Sequence, residues 1–375
     1  MNSAPYDPAA RRDTPLALKL KERIAREGPI SVSEYMRACL QDPEYGYYVK
    51  QPAIGAKGDF ITAPEISQTF GELIGLWCAV VWQQMGSPEK FNLVELGPGR
   101  GTLMKDALRA ARLVPGFHDA VVVNLIESSE ALREVQRATL VSEVIKIHWH
   151  TETQAIPTLP TILLANEFLD TIPIDQFEFD EAHYHWRGVE IDEYGILQFA
   201  RVEHPMLFDP SLYSVRPEYH PGCISEARNF SFLFDLRRSL KTAPSAMIFL
   251  DYGYEEIRVG DTLQSVREHR AEHPLTSPGE ADITAHVDFT DFAGYATLGM
   301  DDGNPPLAVD GPITQAEFLG HLGIIERASK LMSANPAKAG EIEAGVARLI
   351  APTGMGSRFK VIGVRSAGLT KLPGF

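Results

Sequence analysis

The sequence predicts an α/β fold built on a largely parallel sheet with helices on both faces. Two observations carry this prediction. From residue 91 onward, short and almost wholly apolar runs at 91–96, 120–126, 144–148, 161–165 and 246–251 alternate with amphipathic stretches at 102–114 and 129–140. Strands that are apolar on both faces belong to parallel sheets covered by helices, because an antiparallel sheet with one wet face alternates instead. The second observation is Glu95-Leu96-Gly97-Pro98-Gly99-Arg100-Gly101-Thr102, a glycine-rich turn between the first such strand and the first such helix.

The remaining elements follow from local patterns. Residues 1–13 read as a flexible tail, and 14–50 as helices broken at Gly28-Pro29 and Asp42-Pro43. A longer helix is expected over 64–85, where Ile66, Phe70, Leu73, Ile74, Trp77, Val80 and Val81 recur at helical steps and Gly86 follows. Thr62 stands where a cap belongs. After the fourth strand, Phe177, Phe179, His183, His185, Val189, Ile191, Leu197, Phe199 and Val202 alternate across the turns Asp180-Glu181 and Tyr194-Gly195, which predicts an antiparallel meander. Residues 221–242, 315–320 and 340–350 read as helical and 359–364 as a closing strand, whereas 255–312 shows no clear period. The chain therefore divides into a helical N-terminal segment and lid (1–86), a ligand-binding core (87–175), an inserted meander and helix (176–245), and the rest of the core with further insertions (246–375).

Composition narrows the function. The 375 residues carry 50 acids against 35 Lys and Arg, a net charge of −15. That sign repels phosphates and anionic lipid and favours basic partners, so neither nucleic-acid binding nor docking on an anionic membrane surface is expected. Cys39, Cys78 and Cys223 form neither a disulfide framework nor a thiolate metal site. His148/His150 and His183/His185 have a ligand-like spacing but no third partner, so no metal is expected. The longest apolar stretch, 74–82, is about half of the ~20 residues a membrane span needs, and MNSAPYDPAARRD lacks the apolar core of a signal peptide. The expected location is the cytoplasm.

In an open α/β sheet the ligand lies beyond the carboxyl ends of the strands. Glycines at 97, 99 and 101 let the backbone turn tightly and approach a ligand, with amides presented at a helix N-terminus. Their GxGxG spacing differs from the GxGxxG of dinucleotide-binding turns. Glu127 ends the second strand, where a carboxylate can accept hydrogen bonds from both hydroxyls of a ribose. Together they read as a nucleoside half-site. The loop Asn166-Glu167-Phe168-Leu169-Asp170 follows the fourth strand and offers two acids where a sheet places its substrate; it also reads as a solvated turn into the meander.

ELGPGRGT with Glu127 resembles the signature of class I S-adenosylmethionine-dependent methyltransferases. PEYGYY (43–48), GDFITAPEISQTFGEL (58–73), NEFLDTIPIDQF (166–177), LDYGY (250–254) and GEADITAHVDF (279–289) together resemble the MidA-like family within that class, over a match from about residue 14 to the C-terminus. That family includes a mitochondrial protein arginine methyltransferase that assists assembly of respiratory complex I. The resemblance implies a Rossmann-like class I methyltransferase sheet and S-adenosyl-L-methionine as cofactor. It also implies an arginine-containing protein as substrate, a complex I subunit or its bacterial counterpart among the candidates. On this footing Glu95, Gly97, Gly99, Gly101, Glu127, Asp59 and Asn166 are cofactor-binding candidates. Glu167 and then Asp170 are the acids to orient a guanidinium and accept its proton, and Phe60, Asp251, Tyr252 and His286 stand on the substrate side. Asp59 reads equally well as a turn residue, and Asp251-Tyr252 as a strand end. The chain departs from the double-glutamate hairpin of the main arginine methyltransferases, which leaves the proton acceptor open. Methylation of another nucleophile, or an assembly chaperone with a vestigial pocket, are the competing readings.

Overall fold

The computed structural model describes residues 7, 9–50, 61–143, 145–180, 184–202, 220–239, 243–256, 259–298 and 307–375. Its centre is a sheet of β1 (Phe91–Leu96), β2 (Val121–Ile126), β3 (Ile147–His150), β4 (Thr161–Asn166), β5 (Ser245–Tyr254), β6 (Leu307–Thr314) and β7 (Phe359–Ser366). The spatial order is β6-β7-β5-β4-β1-β2-β3, and the two-residue strand Val287–Asp288 pairs parallel beside the end of β5. β1 to β5 run parallel, and β7 lies antiparallel between β5 and β6. The chain steps outward from β1 to β3 and then returns to β4 on the other side of β1. The switch point of the sheet is therefore the β1–β4 junction, where Leu96 lies opposite Ala165.

Alternate residues of each strand supply two separate cores, as apolar positions on both faces require. Leu93, Val123, Leu125, Ile162, Leu164 and Ile248 pack under the helices Gln68–Gln84 and Thr102–Ala111. Val94, Leu163, Met247, Phe249 and Ile362 pack on the opposite face with Phe230, Leu233 and Phe292. The first pair of helices touch through glycine. A Cβ on Gly75 would lie 2.2 Å from the Ala107 carbonyl oxygen, and one on Gly71 would lie 2.6 Å from the Asp106 Cβ. Four residues apart, these glycines share one helix face and let the backbones meet.

The meander is present: Ile174–Phe179, Tyr184–Ile191 and Leu197–Val202 pair antiparallel. Ile30–Ser31 joins it against Val189 and Gly188, and the N-terminal helices Pro15–Glu27 and Val32–Gln41 bury Leu16, Leu20, Tyr35 and Met36 beside it.

Several expectations are corrected. Residues 221–242 are not one helix: Ile224–Arg228 is a strand paired antiparallel with residues 174–178, and among the described residues of this stretch only Phe232–Ser239 is helical. The open side of the meander offers ladder hydrogen bonds that outweigh local helix propensity. The long helix breaks at Ser67 (φ −152°, ψ 125°) into Ala63–Ile66 and Gln68–Gln84. Thr62 holds the cap position of the first piece without a side-chain capping bond. The third strand begins at Ile147, and residue 144 lies outside the described residues. Residues 10–12 are tied down, since the Arg12 amide donates to the Thr276 carbonyl at 2.8 Å and Thr276 Oγ1 donates to the Ala10 carbonyl at 2.9 Å. The unassigned stretch contains a small antiparallel sheet of Gln264–Arg267, Arg270–Glu272 and Asp282–Thr284, and a helix at Ile324–Ala334 was not anticipated. Among the described residues no helix is long and apolar enough to cross a membrane.

Replacing Gly75 by Val should destabilise the fold by about 3 kcal/mol or more, because backbone rather than a flexible side chain fills the space. Urea unfolding of Gly75→Val checks this, and a wild-type midpoint would mean that the helices do not meet there.

Candidate active site at the carboxyl edge of the sheet

The glycine turn leaves β1 with Gly97, Gly99 and Gly101 all in the left-handed region (φ 58°, 54° and 80°). Only glycine adopts three such positions in five residues without strain. Gly101 caps the helix Thr102–Ala111, so free amides face the space above β1. Phe168 closes against the turn, its ring 3.2 Å from where a Gly97 Cβ would stand.

Glu127 follows β2 and is buried. Its Oε1 accepts from the Ser129 amide at 2.8 Å and its Oε2 from Gln136 Nε2 at 3.1 Å. Burial pushes its pKa up, while these bonds pull it back. A cleft of about 950 Å³ opens between Glu127 and the glycine turn on one side and Leu40, Pro43 and Tyr48 on the other. Glu127, Glu130, Glu152 and Glu167 line it, and among the described residues no Lys or Arg does, although Arg133 and Arg137 pair with Glu130 from outside.

A smaller recess of about 50 Å³ lies behind, lined by Glu95, Asn166, Glu65 and Arg100 among others. Glu95 Oε2 and Asn166 Oδ1 are buried there without a hydrogen-bond partner. Burial pushes Glu95 up to about 8. Orphaned acceptors of this kind are rare in native proteins and call for a ligand. Two acceptors beside a glycine turn, with a carboxylate at the next strand end, fit an amino-acid ammonium group and a ribose, as S-adenosyl-L-methionine requires.

The loop after β4 carries the second half of the site. Glu167 has φ 52°, a conformation that non-glycine residues seldom hold. Its half-buried carboxylate accepts from the Ala63 amide at 3.3 Å and from Asn166 Nδ2 at 3.2 Å. Burial, then the neighbouring Asp170, raises it to about 7. Asp170 is buried: Tyr252 Oη donates to its Oδ2 at 2.5 Å, its Oδ1 has no partner, and burial raises it to about 6. Thr102 Oγ1 donates to Glu65, so the short helix Ala63–Ile66 touches both the glycine-turn helix and Glu167.

The substrate-side expectations divide. Tyr252 meets Asp170 and lies 5.5 Å from the His286 ring, which is exposed. Asp251 is fully buried and lines no opening, contrary to expectation. Its Oδ2 accepts from the amides of Phe168, Leu169 and Asp170 at 3.1, 2.8 and 3.1 Å, and its Oδ1 from the Tyr252 amide. Asp59 and Phe60, like His183, lie outside the described residues. His150 is engaged with the buried Asn124, Nε2 to Oδ1 at 3.0 Å.

Two residues that shape the site were not singled out. Gln136 is buried on the helix Glu130–Thr139, where its only buried companion is Leu132; a polar residue on that apolar face was a readable signal. Arg228 is buried and donates to the carbonyls of Ile172, His286 and Ala285 at 2.9, 3.0 and 2.9 Å. Nothing local distinguishes it, because its role depends on a strand pairing distant in sequence.

Glu95 carries a test. A group raised from 4.5 to about 8 in the native state holds its proton more tightly folded than unfolded. Its contribution is complete below pH 4.5 and is lost as pH rises to about 8. Without cofactor, Glu95→Gln should therefore exceed the wild-type melting temperature by a margin that widens from pH 5 to pH 8. A margin independent of pH would reject this environment for Glu95.

Comparison with known proteins agrees with this geometry. The model of a family of S-adenosyl-L-methionine-dependent methyltransferases matches residues 73–301. The Danio rerio protein named "Protein arginine methyltransferase NDUFAF7, mitochondrial" is 34% identical over 372 residues, covering 92% of this chain and 85% of that protein. Its Homo sapiens counterpart is 32% identical over 393 residues, covering 95% and 85%. A Burkholderia thailandensis structure bound to S-adenosyl-homocysteine superposes with a TM-score of 0.83 at 26% identity, over 97% of each chain. With its glycine turn, its acid after β2 and its switch-point sheet, the chain belongs to the MidA-like family of S-adenosyl-L-methionine-dependent methyltransferases.

Proposed function

We propose that the protein methylates a guanidinium nitrogen of an arginine side chain in a protein substrate, with a complex I subunit or its bacterial counterpart as the first class to test. The carrying observation is a cleft lined by four carboxylates and, among the described residues, by no Lys or Arg, with Glu167 standing beside the glycine turn. Such walls attract a guanidinium and a sulfonium together. The relatives named as protein arginine methyltransferases support the same reading. A dinucleotide would bring its pyrophosphate against those acids. A vestigial pocket gives no reason to keep Glu95 Oε2 and Asn166 Oδ1 buried and unsatisfied.

When bound, S-adenosyl-L-methionine supplies an electrophilic methyl group. The chain's task is to align the nucleophile and keep water out. A guanidinium is protonated at neutral pH and must lose a proton as its nitrogen bonds to carbon. Glu167 is placed to hold it by charge-assisted hydrogen bonds and to take that proton, since its pKa near 7 suits a base at neutral pH. Asp170, held by Tyr252, keeps a second negative group behind it.

Calorimetry with S-adenosylmethionine, S-adenosyl-homocysteine and NAD tests the pocket. The first two should bind and NAD should not, and Gly99→Val should abolish binding, because a β-branched residue cannot hold φ 54° beside a ligand. Normal binding by that variant would refute the pocket.

Glu167→Gln should keep cofactor affinity and lower turnover on an arginine peptide by roughly 10²-fold or more. Wild-type turnover should rise as pH passes through about 7, the range in which Glu167 loses its proton, and the variant should lack that limb. A variant with wild-type turnover would remove Glu167 from the chemistry.

A further inference from the structure

We infer that Gln136 is a positioning residue that sets the Glu127 carboxylate for the ribose by bracing it against the glycine turn. The inference rests on the nucleoside reading of the pocket. Gln136 is fully buried. Its Nε2 donates one hydrogen to the Gly99 carbonyl at 2.8 Å and the other to Glu127 Oε2 at 3.1 Å. Its Oε1 accepts from Trp149 Nε1 at 2.9 Å, which fixes which end of the amide faces the site. Its Cα and Cγ also pack 3.6 Å from where a Cβ on Gly101 would stand. One side chain therefore touches the turn at two of its glycines, the acid after β2, and β3.

The geometry explains what the brace achieves. Glu127 Oε1 is held by the Ser129 amide and Oε2 by Gln136, and a carboxylate with about four lone-pair sites keeps acceptor capacity for a hydroxyl. A carboxylate held at both oxygens cannot rotate away when the ligand leaves, and the fixed amide links its position to that of Gly99. Burying an amide is costly unless its donors and acceptor are used, and here all three are.

The test is calorimetry with S-adenosyl-homocysteine and its 2′-deoxy analogue on wild type, Gln136→Met and Trp149→Phe. Wild type should prefer the ribose ligand by roughly tenfold, the worth of a hydrogen bond to a charged group. In Gln136→Met, affinity for S-adenosyl-homocysteine should fall roughly tenfold while the deoxy analogue loses clearly less, so the preference shrinks. Trp149→Phe, which frees the amide to flip, should shrink it in the same direction by a smaller factor.

Gln136→Glu supplies a signature that general loosening cannot imitate. Binding should be weak at about pH 8, where two carboxylates face each other, and recover at about pH 5.5, where they share a proton. Equal losses for both ligands, or unchanged affinity in Gln136→Met, would overturn the brace. A wild type that binds neither ligand would overturn the nucleoside reading beneath it.

Discussion

The carboxylate of Asp251 organises the site without touching its opening. It gathers three successive amides of the loop after β4, while the buried guanidinium of Arg228 gathers carbonyls at the far end of the same loop and in the 285–286 segment. A carboxyl and a guanidinium thus hold one backbone by its donors and its acceptors. This lets Glu167 sit at a positive φ that its own side chain does not favour. Both groups are buried; burial, then Asp170 and Glu167, push the Asp251 carboxyl up, and the loop amides and Arg228 pull it back. Removing either would leave backbone groups unpaired and release the loop that carries both candidate acids.

The inserted regions are therefore part of the active site. Arg228 comes from the strand that closes the meander, so the antiparallel sheet reaches into the loop of the parallel one. The N-terminal segment supplies Leu40, Pro43 and Tyr48 as the opposite wall of the cleft. Tyr48 donates to Asp282 at 3.3 Å, which links that wall to the small three-stranded sheet. A parallel sheet alone would offer a nucleoside platform open to water. The additions give it a second wall and a set of acids at a defined distance from the glycine turn.

Much of this was legible in the chain. Glycine at alternate positions between an apolar strand and an amphipathic helix announces a turn that binds something, because few other constraints demand it. Glu127 and the Asn166–Asp170 loop were legible through the rule that ligands sit beyond strand ends. What stayed hidden depends on distant pairing. Ile224–Arg228 looks helical until residues 174–178 lie beside it, and Arg228 has no role until that strand forms. Asp251 was found and misassigned, since local reading cannot tell a carboxylate facing solvent from one turned back onto amides. The break at Ser67 was similarly masked by an apolar period that runs across it.

The sign of the cleft has a kinetic consequence. S-adenosylmethionine carries a sulfonium charge that S-adenosyl-homocysteine lacks, and a walled set of carboxylates responds to that difference through space. The same walls that draw in the charged donor lose part of their hold once the methyl group has left. Electrostatics thereby favours exchange of spent for fresh cofactor, and salt weakens the bias.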